Sequence, residues 1–360
     1  MMTRPIAGAA ACALIAGAAN AEELHIFTWA DYFAADTVSN FEAETGIDVV
    51  LTYFDSVPVM ETRLLTGGSG FDVVLSAASS VERFVTSDLL LDLNELDLAN
   101  TGNLDPVILA RAAEYDAGGF YSMPYMWGAT GFAFNPAILE ERLPGVDMSD
   151  LANFYDPEVM AALADCGVAI IDSPNEVIGM TLNYLGHFHG TDDSAQVNEA
   201  LDLLTGIRPH IRYINSVKNI DDLSSGEICA AFTYSGDAAV ANWTALEADN
   251  GIEIEFVIPQ QGTGLWIDVW NVMADAPNPD GAAAFLDYLM RPEVIADITN
   301  TVYYANANAA SKEFVSEDIL NDPALYPTDE VVANLYPSMT LPNAAQRLRT
   351  RAWTTFTTSQ

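Results

Sequence analysis

The chain has 360 residues, half of them hydrophobic, and this length exceeds what one hydrophobic core usually serves. Its 51 acidic residues outnumber its 13 lysines and arginines, so the formal net charge is −38. Nucleic acids and anionic membranes are therefore poor partners, because binding to them needs basic clusters. Such acidity is typical of a surface suited to high salt, and its field also attracts cationic ligands.

The first 21 residues have the features of an export signal. Arg4 supplies the positive start, residues 6–17 are apolar or small, and Ala19-Asn20-Ala21 matches the small-x-small cleavage pattern. No later stretch approaches the roughly 20 uninterrupted apolar residues that a membrane span needs. The sequence predicts cleavage near Ala21 and a soluble exported protein.

Two cysteines remain after that cleavage, Cys166 and Cys229. Since an exported protein enters an oxidising compartment, the pair favours a disulfide that closes a loop of about 60 residues. Two unpaired buried thiols are the alternative.

Strand and helix patterns alternate along the rest of the chain. Strand-like runs at 24–27, 47–51 and 71–75 are separated by helical stretches, and Gly46 ends the first of these. Further strands are predicted at 168–171, 228–234, 252–258 and 265–273, and a helix at 282–290 stops before Pro292. This order predicts an α/β fold with a parallel sheet and helices on both faces.

No clear linker divides the chain, so we expect it to cross between two domains more than once. Ligands of open α/β sheets bind at the carboxyl ends of strands, and small-molecule sites favour domain interfaces. The predicted site is therefore a cleft between the two domains.

Sequence motifs for catalysis are missing. The chain has no phosphate-binding glycine loop, no GxSxG and no HExxH. His187 and His189 could ligate a metal, but nothing nearby in the sequence completes a ligand set. We predict no enzyme, no cofactor and no metal. A hydrolase that uses Asp237 and Asp268 as paired carboxylates is the alternative of a different class.

Aromatic residues are paired with carboxylates at strand ends in three places: Trp29 with Asp31, Tyr234 with Asp237, and Trp266 with Asp268. A protonated alkyl diamine needs this chemistry. Carboxylates accept charge-assisted hydrogen bonds, and aromatic faces enclose methylenes and attract ammonium groups. Each pair alone is typical of a core aromatic followed by a surface acid, but three such pairs favour a binding site.

Several motifs resemble the polyamine-binding receptors of bacterial ABC importers, with the greatest likeness to the putrescine-binding members and their two cysteines. The motifs include Leu24-His25-Ile26-Phe27-Thr28-Trp29-Ala30-Asp31-Tyr32, Gly70-Phe71-Asp72-Val73-Val74, Met123-Pro124-Tyr125-Met126-Trp127 and Tyr303-Tyr304-Ala305-Asn306-Ala307-Asn308. The similarity extends over nearly all of the chain after residue 21.

The resemblance implies a two-lobed periplasmic binding protein fold of type II with the ligand in the cleft. Lobe 1 would comprise residues 22–134 and 268–310, and lobe 2 residues 135–267 and 311–360. The protein would be a periplasmic monomer. Its lobes would close on a polyamine, and the closed form would be recognised by an inner-membrane ABC permease.

The resemblance also implies a set of ligand-binding residues: Trp29, Asp31, Ser79, Glu176, Tyr234, Asp237, Trp266, Asp268 and Tyr304. Asp237 and Asp268 would hold one ammonium group at the end where Tyr304 lies. The tryptophans and Tyr234 would enclose the alkyl chain. Glu176 and Asp31 would serve the other end, in part through water.

Departures from the family pattern bear on which polyamine binds. Ala30 and Ala77 stand where putrescine receptors usually have serine, and Trp266 is typical of spermidine receptors. Against spermidine, Ser173 stands where its receptors tend to have an aspartate. Putrescine or a similar diamine is the expected ligand, with spermidine as the alternative.

Two further alternatives keep the fold and change the role. Adjacent tyrosines, Tyr303 and Tyr304, resemble those of ferric-ion receptors, so the ligand could be iron or another cation. A polyamine sensor that signals to a membrane receptor would present the same closed lobes as a transport protein.

Overall fold

The computed structural model describes residues 22–54 and 57–359, so the predicted export signal lies outside the described residues. The strands are β1 (Glu23–Trp29), β2 (Asp48–Phe54), β3 (Val73–Ala77), β4 (Met123–Phe134), β5 (Val168–Ile170), β6 (Tyr213–Ile214), β7 (Ala230–Tyr234), β8 (Glu255–Val257), β9 (Gly264–Val272), β10 (Ala305–Asn306) and β11 (Tyr336–Pro337).

The helices that begin before residue 200 are α1 (Thr37–Thr45), α2 (Val57–Leu65), α3 (Ala78–Thr86), α4 (Pro106–Ala112), α5 (Pro136–Arg142), α6 (Leu151–Phe154), α7 (Pro157–Leu163), α8 (Pro174–Tyr184) and α9 (Ser194–Ile207). The later helices are α10 (Lys218–Ser225), α11 (Ser235–Glu247), α12 (Pro279–Leu289), α13 (Pro292–Val302), α14 (Glu317–Leu320), α15 (Asp329–Asn334) and α16 (Asn343–Thr358). Within the described ranges, no helix has the length and apolar character needed to cross a membrane.

Acidic residues begin several of these helices. Asp105, Asp150, Asp156 and Asp193 each accept a hydrogen bond from a backbone N–H in the first turn of α4, α6, α7 and α9. Such caps stabilise a helix by about 1 kcal/mol, because they satisfy amide groups that lack partners within the helix. Part of the acidity of the chain therefore has a local structural role.

The strands lie in the order β2-β1-β3-β9-β4-β7-β5-β6, with β8 and β10 beside β4 and β11 beside β9. β1 runs parallel to β2 and β3, and β5 runs parallel to β6 and β7. β9 and β4 are antiparallel to their neighbours in this order. The α/β class is confirmed, but the sheet is mixed, because β4 leads out of one half of the sheet and β9 leads back into it.

Strand β4 connects the two halves. Its residues 123–129 pair with β9, and its residues 130–134 pair with β7. At the change of partner, Gly128 lies opposite Trp266 of β9, and Thr130 lies opposite Tyr234 of β7. Both halves of the sheet therefore place an aromatic residue beside the crossing.

Separate hydrophobic cores lie on the two sides of this crossing. Phe41 and Phe285 belong to a core of the first half, whereas Phe154 and Phe232 belong to a core of the second half. Helix α16 packs on the second of these through Phe356. Since burial of each such side chain contributes about 1.5–3 kcal/mol, each half has its own stabilising core. The predicted two-lobed fold is confirmed.

The predicted disulfide between Cys166 and Cys229 is present, with the two Cα atoms 5.5 Å apart. It joins the turn that follows α7 to the residue that precedes β7. The bond therefore fastens elements within the second half of the sheet.

Candidate functional site

A cavity of about 910 Å³ lies between the two lobes. β1 ends at Trp29, β3 at Ala77 and β7 at Tyr234, and all three residues line the cavity. Asp268, which lies opposite Ala77 in the sheet, also lines it. The cavity therefore lies at the carboxyl ends of parallel strands, where ligands of α/β sheets bind.

Most of the predicted ligand-binding residues line this cavity: Trp29, Ser79, Glu176, Tyr234, Trp266, Asp268 and Tyr304. Asp237 contacts the cavity wall through its hydrogen bond with Tyr304. Asp31 is exposed, lies outside the lining and has a left-handed backbone with φ of 54°. The structure brings all of these residues together except Asp31, and their ligand contacts stay predictions.

Asp237 lies in the first turn of α11 and is held by two hydroxyl groups. Tyr304 Oη donates a hydrogen bond to Asp237 Oδ1 at 2.8 Å, and Thr233 Oγ1 donates to Oδ2 at 3.5 Å. Burial raises the pKa of Asp237 to about 6, although both hydrogen bonds oppose that shift. Burial therefore favours the neutral carboxyl, and a bound cation would favour the charged form.

Asp268 on β9 has a comparable environment. Tyr32 Oη donates a hydrogen bond to Asp268 Oδ2 at 3.0 Å, and Tyr125 Oη donates to the Tyr32 carbonyl at 2.7 Å. Burial raises the pKa of Asp268 to about 7, and the bond from Tyr32 opposes the shift. Tyr32 was not predicted as a site residue, and its place at the end of the first motif is the only signal that could have found it.

Aromatic rings form the walls between the acidic ends. The Trp266 ring lies 5.1 Å from the Tyr304 ring at 82° and 6.4 Å from the Tyr234 ring at 88°, measured between centroids. Trp29 packs on Phe54 at 4.3 Å. Such rings can enclose methylene groups and attract ammonium groups through their faces.

Three side chains of the site lie directly against glycines: Trp266 against Gly128, Tyr304 against Gly236, and Glu176 against Gly264. A Cβ atom at Gly236 would lie 2.0 Å from Tyr304 Cε1, and one at Gly264 would lie 2.4 Å from Glu176 Oε2. These positions need glycine because the approach leaves no room for a side chain. Sequence analysis did not identify them, because the contacts join segments far apart in the chain.

Glu176 in the first turn of α8 is a further acidic residue that lines the cavity. Ser338 Oγ donates to Glu176 Oε1 at 3.3 Å. Burial raises the pKa of Glu176, whereas Ser338 and Arg349 oppose that shift. The segment around Ser338 is also joined to two distant segments, because Tyr115 Oη donates to the Ser338 carbonyl and Thr340 Oγ1 donates to the Ser79 carbonyl.

Two α/β lobes that enclose an acidic cleft with aromatic walls define a solute-binding protein. The chain belongs to the family of bacterial extracellular solute-binding proteins, whose family model matches residues 36–328. This result confirms the family resemblance that the sequence motifs carry.

Comparisons with individual proteins agree with this family assignment. The chain is 43% identical over 342 residues to the putrescine-binding periplasmic protein PotF of Escherichia coli strain K12, covering 94% of this chain and 92% of that protein. It is 40% identical to the putrescine-binding periplasmic protein SpuD of Pseudomonas aeruginosa strain UCBPP-PA14, covering 94% and 93%. These relatives are named as binding proteins, not as enzymes.

A solved structure shares the fold. The spermidine/putrescine ABC transporter substrate-binding protein PotD of Streptococcus pneumoniae matches with a TM-score of 0.80 and 24% identity. The match covers 93% of this chain and 98% of that protein. The two-lobed architecture thus extends over nearly all of both chains.

Proposed function

We propose that the protein captures putrescine or a similar diamine in the periplasm and delivers it to an inner-membrane ABC permease. The observation that carries this proposal is the distribution of charge in the cavity. Asp237 and Asp268 have no cationic partner within the described part of the chain, and Glu176 is a further carboxylate of the same cavity. A ligand with two positive groups separated by an apolar chain complements this arrangement.

Each part of a diamine has a matching surface. One ammonium group would donate charge-assisted hydrogen bonds to Asp237 and Asp268, and the methylenes would lie against Trp266. The second ammonium would reach Glu176. Charge-assisted hydrogen bonds are worth about 1.5–3 kcal/mol each and cation–π contacts about 0.5–2 kcal/mol, so micromolar affinity, about −8 kcal/mol, is within reach.

The arrangement of the adjacent tyrosines disfavours a ferric-ion site. The Tyr303 ring packs against Trp243 with centroids 5.6 Å apart, whereas Tyr304 donates to Asp237. The two phenols therefore have different neighbours and do not form a shared ligand set. Among the described residues, no group of three or more His, Cys, Asp or Glu side chains is arranged to hold a metal ion. A diamine remains the better match for this cavity.

Location and assembly form part of the proposal. The names of the relatives as periplasmic proteins support export of this chain. We place the cleavage near Ala21, where the small-x-small pattern predicts it. We also propose that the protein is a monomer. Its lobe 1 would comprise residues 22–134 and 268–310, and its lobe 2 residues 135–267 and 311–360. The packing of Trp353 and Phe356 in the core of the second half supports the placement of α16 in lobe 2.

Calorimetric titration of the protein starting at Glu22 tests the proposal. Putrescine, cadaverine, agmatine, spermidine and spermine would be titrated in parallel at moderate salt. Micromolar or tighter binding of a diamine supports it, and absence of binding across the panel contradicts it. Loss of polyamine uptake on deletion of the gene would separate a transport protein from a sensor, because a sensor leaves uptake intact.

A further inference from the structure

Beyond Glu176 the cavity continues to a buried cation. Arg349 of α16 lines the cavity and is 2% exposed. Its Nη1 donates to the Asn175 carbonyl at 3.1 Å in the first turn of α8. Its Nε and Nη2 have no hydrogen-bond partner among residues 22–54 and 57–359. A charged group thus lies in the cavity wall with two of its nitrogen atoms buried and part of its hydrogen-bonding capacity unused.

Two further polar side chains, His189 and Tyr336, line the cavity together with Arg349. We call this part of the cavity the Arg349 chamber and define it by these three residues. The His189 ring stacks on the Tyr336 ring with centroids 4.2 Å apart. His189 Nε2 and Tyr336 Oη are also buried and lack partners within the described part of the chain. Burial, reinforced by the charge of Arg349, lowers the pKa of His189, so the imidazole is neutral at neutral pH. Arg349 is then the charged group of the chamber.

The charge of Arg349 is balanced by Glu176 before a ligand binds. The two side chains attract each other, and each favours the charged form of the other. An ammonium group that pairs with Glu176 neutralises this carboxylate. The positive charge of the guanidinium is then no longer balanced by Glu176. Inside a protein, the interaction between two such charges is several times stronger than in water.

We propose that Arg349 determines specificity by repelling a third ammonium group, so that the site selects polyamines with two charges. This inference rests on the proposed function. Size alone does not exclude longer polyamines, because about 910 Å³ lies in the range of roughly 300–1,000 Å³ that holds drug-sized ligands. Exclusion of a triamine therefore depends on charge at the end of the cavity.

A pair of ligands of equal length isolates the charge. Spermidine and N-butylputrescine have the same chain, but a methyl group replaces one terminal ammonium in N-butylputrescine. We expect the parent protein to bind N-butylputrescine at least about tenfold more tightly than spermidine, since like charges several ångströms apart repel by more than 1 kcal/mol at the effective dielectric of a protein. Equal affinities would overturn the inference.

Two variants separate charge from structure. Arg349→Met and Arg349→Lys both remove the guanidinium and its bond to Asn175, but only the lysine variant keeps the charge. The ratio of the two dissociation constants should fall toward one in Arg349→Met and persist in Arg349→Lys. An unchanged ratio in Arg349→Met would overturn the inference. If the parent protein failed to bind putrescine, the proposed function would fail as well, whereas putrescine binding with equal affinities for the two longer ligands would refute only the role of Arg349.

Discussion

Ligand affinity should fall steeply as the pH decreases from 8 to 5. Burial raises the pKa of Asp237 to about 6 and that of Asp268 to about 7 in the ligand-free protein. The amines of the ligand stay protonated over this range, and they pair with ionised carboxylates, so protons and ligand compete. At pH 5 the competition weakens binding about tenfold through Asp237 and about a hundredfold through Asp268. Together this is about a thousandfold, or about 4 kcal/mol.

Calorimetry at several pH values provides the assay. In buffers with different ionisation enthalpies, the two carboxyls should release about one proton per bound diamine at pH 6.5. The raised pKa of Glu176 acts in the same direction. The Asp268→Asn variant should lose the hundredfold component and keep the tenfold one. Affinity constant within twofold between pH 5.5 and 8, without proton release, would refute the assignment of these carboxyls to the ligand.

Three other outcomes follow from the packing and charge of the site. At pH 8, Asp268→Asn should weaken putrescine binding by about 2–5 kcal/mol in a calorimetric titration, because a desolvated ammonium loses its charged partner; parent-like affinity would remove Asp268 from the site. Gly236→Ala should displace Tyr304 and weaken binding about tenfold, whereas Gly206→Ala, where a Cβ meets nothing within 4 Å, should bind like the parent; equal affinities of both variants would contradict this contact. Cys166→Ser should lower the free energy of unfolding by about 4 kcal/mol in denaturant titrations, since the bond spans 63 residues, and stability that is insensitive to this change would contradict the entropic estimate.

Local patterns explain why much of the fold was predictable. The run from Val73 to Leu75 is apolar and follows a glycine-rich break, so its strand character is determined by neighbours in sequence. The disulfide followed from counting cysteines in an exported chain. The change of partners along β4 was not predicted, because pairing with β9 and β7 depends on residues more than 90 positions away.

For the candidate site too, the sequence predicted some residues correctly and others not. Motifs at strand ends identified Trp29 and Tyr234, because the carboxyl ends of parallel strands converge in any sheet of this class. Trp266 lies instead near the start of β9, which reaches the same edge because β9 is antiparallel to β3. The same reasoning included Asp31, which the structure leaves exposed, since a motif does not determine the direction of a side chain in a loop with positive φ. Asp237, in contrast, is directed by the first turn of α11.

The sequence by itself determined the α/β class, the two-lobed family and the residue types of a cationic ligand site. These depend on periodicity, composition and motifs, all of which are local. Tertiary structure alone decided that Tyr32 donates to Asp268 across 236 residues and that Arg349 lies buried at the end of the cavity. In the sequence, nothing distinguishes Arg349 from the other basic residues of the same helix. Its effect on a ligand depends on burial and on distance to other charges, and both of these quantities exist only after the chain has folded.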